Sequence, residues 1–467
     1  MTAAVVTPTR RFPDGFAVRL RADVRVTRSG RLLVGGSPLR AVKLTEHARS
    51  LLGDGRLVVE GASSDLLAAR LVDGNLADPV PTGPFAELWD ITVVIPVRDR
   101  PEQLDRCLAA AQPLSCVVVD DQSLRPGLVA DVAARHGATL LSLPVNVGPA
   151  GARNAGLRRV RTPYVAFVDS DVTVDAGTLH RLTRHFADDR VALVGPRVRS
   201  VVVAGRGRWH ERLDAHSSSL DLSTRACSVR PGAAVAWLPG ACLVGRVDRL
   251  GTGFADDLRV GEDVDLVWRL VDSGQAVRYD PDESAGHEAR ATIFDWLGRK
   301  VVYGTGGAVL AARHGDHTAV AVLSPMAAVG AAALLSRRWW SLPVASAVLM
   351  HTRRALVHRL PDDPERESMA TVLACRGLAW AVRQEAALLL RHWWPAAAAA
   401  ATVSATARRV LVSAVLVDLM QGLRAKPDPA TAFVGRRLDD FAYGSGLWLG
   451  AIRARSWRCL AVRRTRG

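Results

Sequence analysis

Residues 15–78 begin with alternation. In FAVRLRADVRVTRSGRLLVGG, apolar and polar positions trade places on either side of Ser29-Gly30, which predicts a hairpin turned at those two residues. Two stretches of helical spacing follow: LTEHARSLL, with Thr45 as its N-cap, and SSDLLAARLVDG, which repeats the capped pattern. Strands followed by short helices predict a small α+β, winged-helix-like domain. The Pro-rich run ADPVPTGP (77–84) marks an expected linker and domain boundary.

From Trp89 to about Ala176 the period switches back and forth. ITVVIPV, CVVVDD, TLLSLPV and YVAFVD are short, β-branched, continuously apolar runs, the pattern of strands covered on both faces. Between them lie PEQLDRCLAAA, opened by Pro101, PGLVADVAARHG, ended by Gly137, and AGARNAGLRRV, all helical in spacing. Alternating strands and helices predict an α/β, Rossmann-like, mostly parallel sheet with ligands at the carboxyl ends of its strands. Beyond Ala311 the texture changes again. TAVAVLSPMAAVGAAALLS (318–336), WWSLPVASAVLM (339–350) and PAAAAAATVSATA (395–407) are nearly uncharged and flanked by Arg and Trp. They read either as bilayer segments or as an Ala-rich helical bundle. The closing GLWLGAIRARSWRCLAVRRTRG has no acidic residue and is expected to lie on anionic lipid as an amphipathic helix. Three regions are therefore expected: 1–84, 85–310 and 311–467.

Composition narrows the partners. At 467 residues the chain exceeds one compact core. A net charge of +15 points to anionic partners: nucleotide phosphates, nucleic acid or a membrane surface. Aromatic residues make up only 5%, and no basic stretch interleaved with aromatics occurs in the first 300 residues, which disfavours nucleic acid. The six cysteines are scattered without a Cys-x-x-Cys pair. That argues against structural zinc or a disulfide framework and fits a reducing compartment. The first fifteen residues lack the apolar core of a secretory signal, so the catalytic parts are expected in the cytoplasm.

The chemistry gathers at strand ends. Asp99 follows the first strand, Asp120 and Asp121 the second, and Asp169 and Asp171 the fourth, while Glu262 and Asp263 precede a helix with an apolar face. Each alone reads as a cap or turn acid. Together, at one edge of one sheet, they line a negative crevice. Two carboxylates one residue apart raise each other's pKa unless a positive charge intervenes. Such a crevice binds a nucleotide if a hard divalent cation bridges carboxylate to phosphate. Gly148 and Gly151 in PVNVGPAGARNAGLRRV allow a close backbone turn, and Arg153 supplies charge for phosphates. A dinucleotide fingerprint is absent after the first strand.

Five motifs in order, VVIPVRDR, VVVDDQS, NVGPAGARNAGL, FVDSD and GEDVDLVWRL, resemble glycosyltransferase family 2, the inverting GT-A enzymes that use nucleotide-diphosphate sugars; the resemblance spans about 90–300. One departure is DDQS, where the family commonly has Asp-Asp-Gly-Ser. The resemblance implies that Pro96, Asp99, Asp120, Asp121 and Arg153 border the nucleotide sugar. Asp99 and Asp121 would hold base and ribose, and Asp169 and Asp171 would hold diphosphate and Mg²⁺ or Mn²⁺. Asp263, beside Glu262, would be the general base. His287 is either a third metal ligand or a surface histidine. PGACLVGRVDRLGTGFAD, with Gly240 and Ala241, matches the stretch that shapes an acceptor pocket. Trp237 either stacks on a sugar or packs in the core. Trp296 and Arg299, in DWLGRKVVYG, are candidates for a lid.

The N-terminal PLRAVKLTEHARSLL is similar to PqqD-type peptide-recognition units. Joined to a family 2 domain and a hydrophobic tail, it resembles the glycosyltransferases of the mycofactocin system. That resemblance implies UDP-glucose as donor, a premycofactocin-type acceptor and the growth of a glucose chain. Two rivals remain: a membrane-bound family 2 transferase acting on lipid or cell-wall polysaccharide, and a non-catalytic peptide-binding adaptor.

Overall fold

The computed structural model describes residues 10–80, 85–202, 207–290, 292–422 and 429–464. The chain forms two compact units, 1–199 with 220–287, and 200–219 with 288–467.

The first unit opens with strands β1 (Ala17–Leu20), β2 (Arg25–Val26), β3 (Leu32–Gly35) and β4 (Arg40–Lys43), helix α1 (Glu46–Leu52), β5 (Arg56–Val58), α2 (Ala62–Asp73) and β6 (Ala77–Val80). The hairpin turned at Gly30 joins β2 to β3. β1 does not extend it; it pairs with β5 and β6 in a separate sheet. The Thr45 hydroxyl caps α1 by accepting from Ala48 N–H at 3.1 Å. β6 occupies the first half of the stretch expected as a linker, and residues 81–84 lie outside the described residues. Phe12, Val18, Leu33, Leu57, Leu71 and Leu76 form the core of this region. Arg11 ties it to the rest of the unit through a buried pair with Asp188 at 2.6 Å.

The alternating region follows: β7 (Ile91–Val97), α3 (Pro101–Ala111), β8 (Ser115–Asp120), α4 (Pro126–Arg135), β9 (Thr139–Ser142), α5 (Gly148–Leu157), β10 (Tyr164–Val168), β11 (Val172–Thr173), α6 (Ala176–Leu182) and β12 (Val191–Val201). After α7 (Trp209–Ser217), which belongs to the second unit, come β13 (Cys227–Ser228), β14 (Cys242–Arg246), α8 (Glu262–Asp272) and β15 (Ala276–Glu288). The sheet order is β11-β15-β12-β14-β10-β7-β8-β9, with β13 on β15. β10, β7, β8 and β9 are parallel as expected. The other half is not: β14 runs antiparallel to both β10 and β12, and β15 to β11 and β13. The sheet is mixed, because β14 lies between β10 and β12 and runs against both. Both faces are covered. Val93, Ile95 and Val97 enter one core, while Val94, Val119 and Phe167 enter the other. Each such fully buried side chain contributes about 1.5–3 kcal/mol.

The second unit is helical: α9 (Ile293–His314), α10 (Pro325–Ser336), α11 (Ser341–Arg359), α12 (Arg366–Ala387), α13 (Trp394–Val403), α14 (Ala405–Gly422) and α15 (Pro429–Arg453), with a short parallel pair β16 (Ala321–Leu323) and β17 (Val462–Arg464). The boundary expected at 310/311 falls inside α9. The apolar runs are broken short. α10 ends after twelve residues, where Arg337 turns into the left-handed region. Among the described residues no helix is long and apolar enough to cross a membrane. The closing stretch is not one amphipathic helix either: α15 stops at Arg453, and β17 follows. Small residues serve helix packing here. A Cβ on Gly446 would lie 1.9 Å from the Val301 carbonyl of α9, so α15 and α9 meet backbone to backbone.

Candidate active site

β7, β8 and β10 are parallel neighbours, so the residues that follow them emerge at one edge of the sheet. Pro96 lies within β7, opposite Val119. Asp99, just beyond β7, is exposed and has φ 55. Its N–H donates to Ser123 Oγ at 2.9 Å, and its Oδ1 accepts from Leu124 N–H at 2.6 Å. The two turns are thereby stitched together.

At the end of β8, Asp120 and Asp121 are both buried. Asp120 accepts from Ser123 N–H at 3.0 Å. Asp121 accepts three bonds: from Val147 N–H at 2.7 Å, Gly148 N–H at 2.9 Å and Asn146 Nδ2 at 2.9 Å. Its carboxylate therefore sits on the opening N–H groups of α5, where the helix dipole favours negative charge. Gly148 takes φ 81, a conformation that glycine adopts freely.

Gln122 also has positive φ, 62, at the place where the family has glycine. For a side chain this costs roughly 1–2 kcal/mol. Two side-chain bonds offset it: Oε1 accepts from Asn146 N–H at 3.1 Å and Nε2 donates to Pro144 O at 3.3 Å. The substituted residue thus straps the loop before α5 to the Asp120-Asp121 turn.

The turn after β10 is held differently. Arg153, 2% exposed on α5, reaches Asp169 Oδ1 at 2.5 Å and Glu262 Oε1 at 2.9 Å. Its guanidinium also lies 5.2 Å from the Phe254 ring, which stands edge-on to Phe167. Asn154, next to it, donates to Phe254 O and Asp256 Oδ1 at 2.7 Å each and fixes that loop. Asp171 is buried and paired with Arg100. β11 and β15 set His287 opposite Val172, which brings its Nε2 to 3.7 Å from Asp171 Oδ1. Among the described residues the buried Nδ1 of His287 has no hydrogen-bond partner. Two carboxylates and an imidazole form the donor set of a hard or borderline divalent cation. Among the described residues no three acidic, His or Cys side chains stand close enough to grip an ion by themselves. One or two protein carboxylates, with substrate phosphates supplying the remaining ligands, is the arrangement Mg²⁺ commonly takes.

Asp263 lies in the first turn of α8, after Gly261 at φ 81. Leu266, Val267, Trp268 and Leu270 bury the apolar face of α8 and fix the direction of that turn. Asp263 Oδ2 accepts from Gly240 N–H and Oδ1 from Val264 N–H, each at 2.8 Å. Burial, with the neighbouring Glu262 charge, pushes the Asp263 carboxyl up to about 7; the two N–H groups and Arg153 pull the other way. Residue 241 follows residue 240, and Ala241 O accepts from Asp169 N–H at 3.0 Å. Consecutive residues thus tie the Asp263 carboxylate to the Asp169 turn. Gly240 is also where a Cβ would come within 3.1 Å of Arg153 Nη2. Trp237, on the same segment, is partly exposed.

Residues 92–241 match the family model of glycosyl transferase family 2. Over 465 residues the chain is 41% identical to the pre-mycofactocin glycosyltransferase of Mycobacterium tuberculosis strain H37Rv, covering 96% of this chain and 97% of that one. The chain belongs to that glycosyltransferase family. It is also 35% identical over 100 residues to the succinoglycan biosynthesis protein ExoO of Rhizobium meliloti, covering 20% of this chain and 28% of that one. Among solved structures, the mannosyltransferase PcManGT from Pyrobaculum calidifontis, in complex with GDP-Man and Mn²⁺, aligns at 18% identity with a TM-score of 0.42, over 79% of this chain and 89% of that one.

The transferase joins Asp169, Arg153, Glu262 and Asp263 through side-chain and backbone bonds, sets Asp171 with Arg100 and His287 two residues further along the same turn, and places Asp99, Asp120 and Asp121 on the neighbouring turns. Trp296 and Arg299 belong to the second unit. There Trp296 is buried and donates to Asp214 Oδ1 at 3.2 Å, and Arg299 lies 5.2 Å from the Tyr303 ring. Sequence reasoning missed Arg100, although it stands in the first motif and an unpaired acidic couplet calls for a nearby cation. It also missed Asn146 and Asn154, whose partners lie on other segments.

Proposed function

We propose that the chain is an inverting glycosyltransferase that moves glucose from UDP-glucose onto a premycofactocin-type acceptor and extends it as a glucose chain in the cytoplasm. One observation carries the catalytic part: Gly240 and Ala241 hold the Asp263 carboxylate beside the Asp169 turn. An inverting transfer needs a base on one side of the sugar and charge stabilisation of the diphosphate on the other. Asp263, with its affinity for a proton raised to about 7, is matched to remove one from an acceptor hydroxyl near neutral pH. Each of its oxygens keeps a lone pair beyond the backbone bond it accepts. The acceptor oxygen then attacks the anomeric carbon, the bond from that carbon to the diphosphate oxygen breaks, and the proton rests on Asp263.

Asp169 and Asp171, with His287, would hold a divalent cation, which when bound neutralises the charge of the departing diphosphate. Arg153 and Arg100 supply positive charge at the same turn. Asp99, the exposed carboxylate, faces the nucleoside end, and Asp121 shapes that end by fixing the start of α5. The donor and acceptor identities rest on the match to the mycobacterial relative along nearly its whole length.

The test uses purified full-length chain with UDP-glucose, a divalent cation and premycofactocin, read by mass spectrometry. Hexose-bearing cofactor species are expected, and Asp263→Asn should bind donor but form none. Transfer to polyprenyl or polysaccharide acceptors alone would replace the acceptor assignment. Turnover by Asp263→Asn would remove the base.

A further inference from the structure

The segment between β13 and β14 is irregular, yet it carries Trp237, Gly240 and Ala241. Its far end is tied to the reaction centre: Trp268 Nε1 donates to Ala236 O at 2.8 Å, Gly240 N–H to Asp263, and Asp169 N–H to Ala241 O. Its near end is tied to the N-terminal sheets. Asn75, 1% exposed and at φ 53 in the turn after α2, aligns its side-chain amide with Ser228. Its Oδ1 accepts from Ser228 N–H at 2.7 Å, and its Nδ2 donates to Ser228 O at 3.1 Å and to Ser37 O at 3.0 Å. One side chain does for Ser228 what a neighbouring strand would do. Ser37 Oγ accepts from Ala234 N–H at 2.6 Å, and Ser37 O accepts from Arg230 Nη2 at 3.0 Å. The turns bearing Ser37 and Asn75 are pressed together at Gly36, where a Cβ would lie 2.2 Å from Gly74 O.

We propose that Asn75, with Ser37 beside it, is a positioning residue for sugar transfer, holding Gly240 against Asp263 through residues 228–241. The N-terminal domain is then a brace of the transfer site. The proposal rests on Asp263 acting as base. Asn75 touches no reacting atom, and its effect passes through the segment. Without the amide, Ser228 N–H and O lose their buried partner, and the segment is held at its near end by the pairing of β13 with β15, by Val229 N–H donating to Val277 O at 2.8 Å, and by Arg278, Val72 and Ser37. Displacements of about 1 Å in a catalytic group lower rates by up to a hundredfold.

The experiment compares full-length Asn75→Gly and Ser37→Ala with wild type. Glycine accepts φ 53 without strain, so the folded chain loses only the side chain while the unfolded chain gains some freedom. Expected for Asn75→Gly is a fall in kcat of about tenfold, and for Ser37→Ala about threefold. Donor affinity and binding stoichiometry by calorimetry should stay at wild-type values, while the melting temperature of Asn75→Gly falls by a few degrees, because Ser228 N–H and O lose a buried partner. Wild-type kcat in Asn75→Gly, with Asp263→Asn inactive, overturns this proposal alone. A kcat loss matched by an equal loss of donor-binding stoichiometry overturns it too, since that reports damaged fold. Turnover by Asp263→Asn removes the base, and this proposal with it.

Discussion

The turns after β8 and β10 each place two aspartates at the carboxyl end of a parallel strand, and in the sequence they look alike. The first pair is committed to the fold. Asp121 accepts two backbone N–H bonds and one amide bond from residues 146–148, and Asp120 accepts from Ser123 N–H. The second pair is held by guanidinium groups, Asp169 by Arg153 and Asp171 by Arg100. A backbone amide cannot leave without unfolding its segment. A side chain such as Arg100, partly exposed, exchanges for another cation by turning a few bonds. The difference separates carboxylates that build a site from carboxylates that meet a ligand, and it turns on the donor rather than the acid.

The sharpest way to break this comparison is to remove the charge from each pair in turn. Asp169→Asn and Asp171→Asn should lower kcat about a thousandfold, because charge stabilisation of this kind is commonly worth that much, while the melting temperature changes little. If either keeps activity and instead unfolds, the two turns are not different in kind. Chelation of divalent cations should silence wild-type transfer to a similar degree and be reversed by Mg²⁺ or Mn²⁺.

Asp121→Ala should do the opposite. Three donors lose their buried acceptor, at about 1–3 kcal/mol for such a group, so denaturant unfolding should shift by at least that amount. Asp121→Asn, which keeps the shape, should lose about half as much.

Much of this was legible beforehand, and the limits have physical causes. Parallel strands covered on both faces announce themselves as apolar runs, so β7, β8 and β10 and the acids after them could be read directly. β14 and β15 could not be oriented that way, since residues such as Val244 and Tyr279 are equally apolar in either direction. β1 pairs with β5 and β6 across a long separation, although a local hairpin was in view. In the second unit, apolar content left bilayer segments and an Ala-rich bundle both open; Arg337 ends the first run at α10, and among the described residues no helix is long and apolar enough to cross a membrane. Which aspartate was saturated depended on loop amides brought from other segments, and no spacing rule reports that.

Asp263 is a third kind of carboxylate, bonded to backbone yet raised in pKa, and pH is the way to set it apart. Its ionised form is present above about 7 and lost as pH falls below it. Transfer should therefore drop toward tenfold per unit on the acid side of 7, as for any single titrating base. Stability runs the other way. A carboxyl with a raised folded pKa favours the fold below its unfolded value near 4 and gives up that contribution as pH rises through 7. Asp263→Asn should accordingly melt a few degrees higher relative to wild type at pH 8 than at pH 5.

The smallest effect concerns Gln122, on the turn assigned to the fold. Its positive φ costs roughly 1–2 kcal/mol, and its two bonds to the 144–146 loop return about 0.5–1.5 kcal/mol each. Gln122→Gly removes strain and tether together, so stability should stay within about 1 kcal/mol of wild type, glycine's extra unfolded-state freedom included. Gln122→Ala keeps the strain and loses the tether, so it should be the less stable of the two. Both should raise the donor KM a few-fold through loosening of Asn146 and the start of α5. Equal melting temperatures for the two variants would mean that the left-handed turn carries no strain here, and that glutamine replaces glycine without needing its side chain.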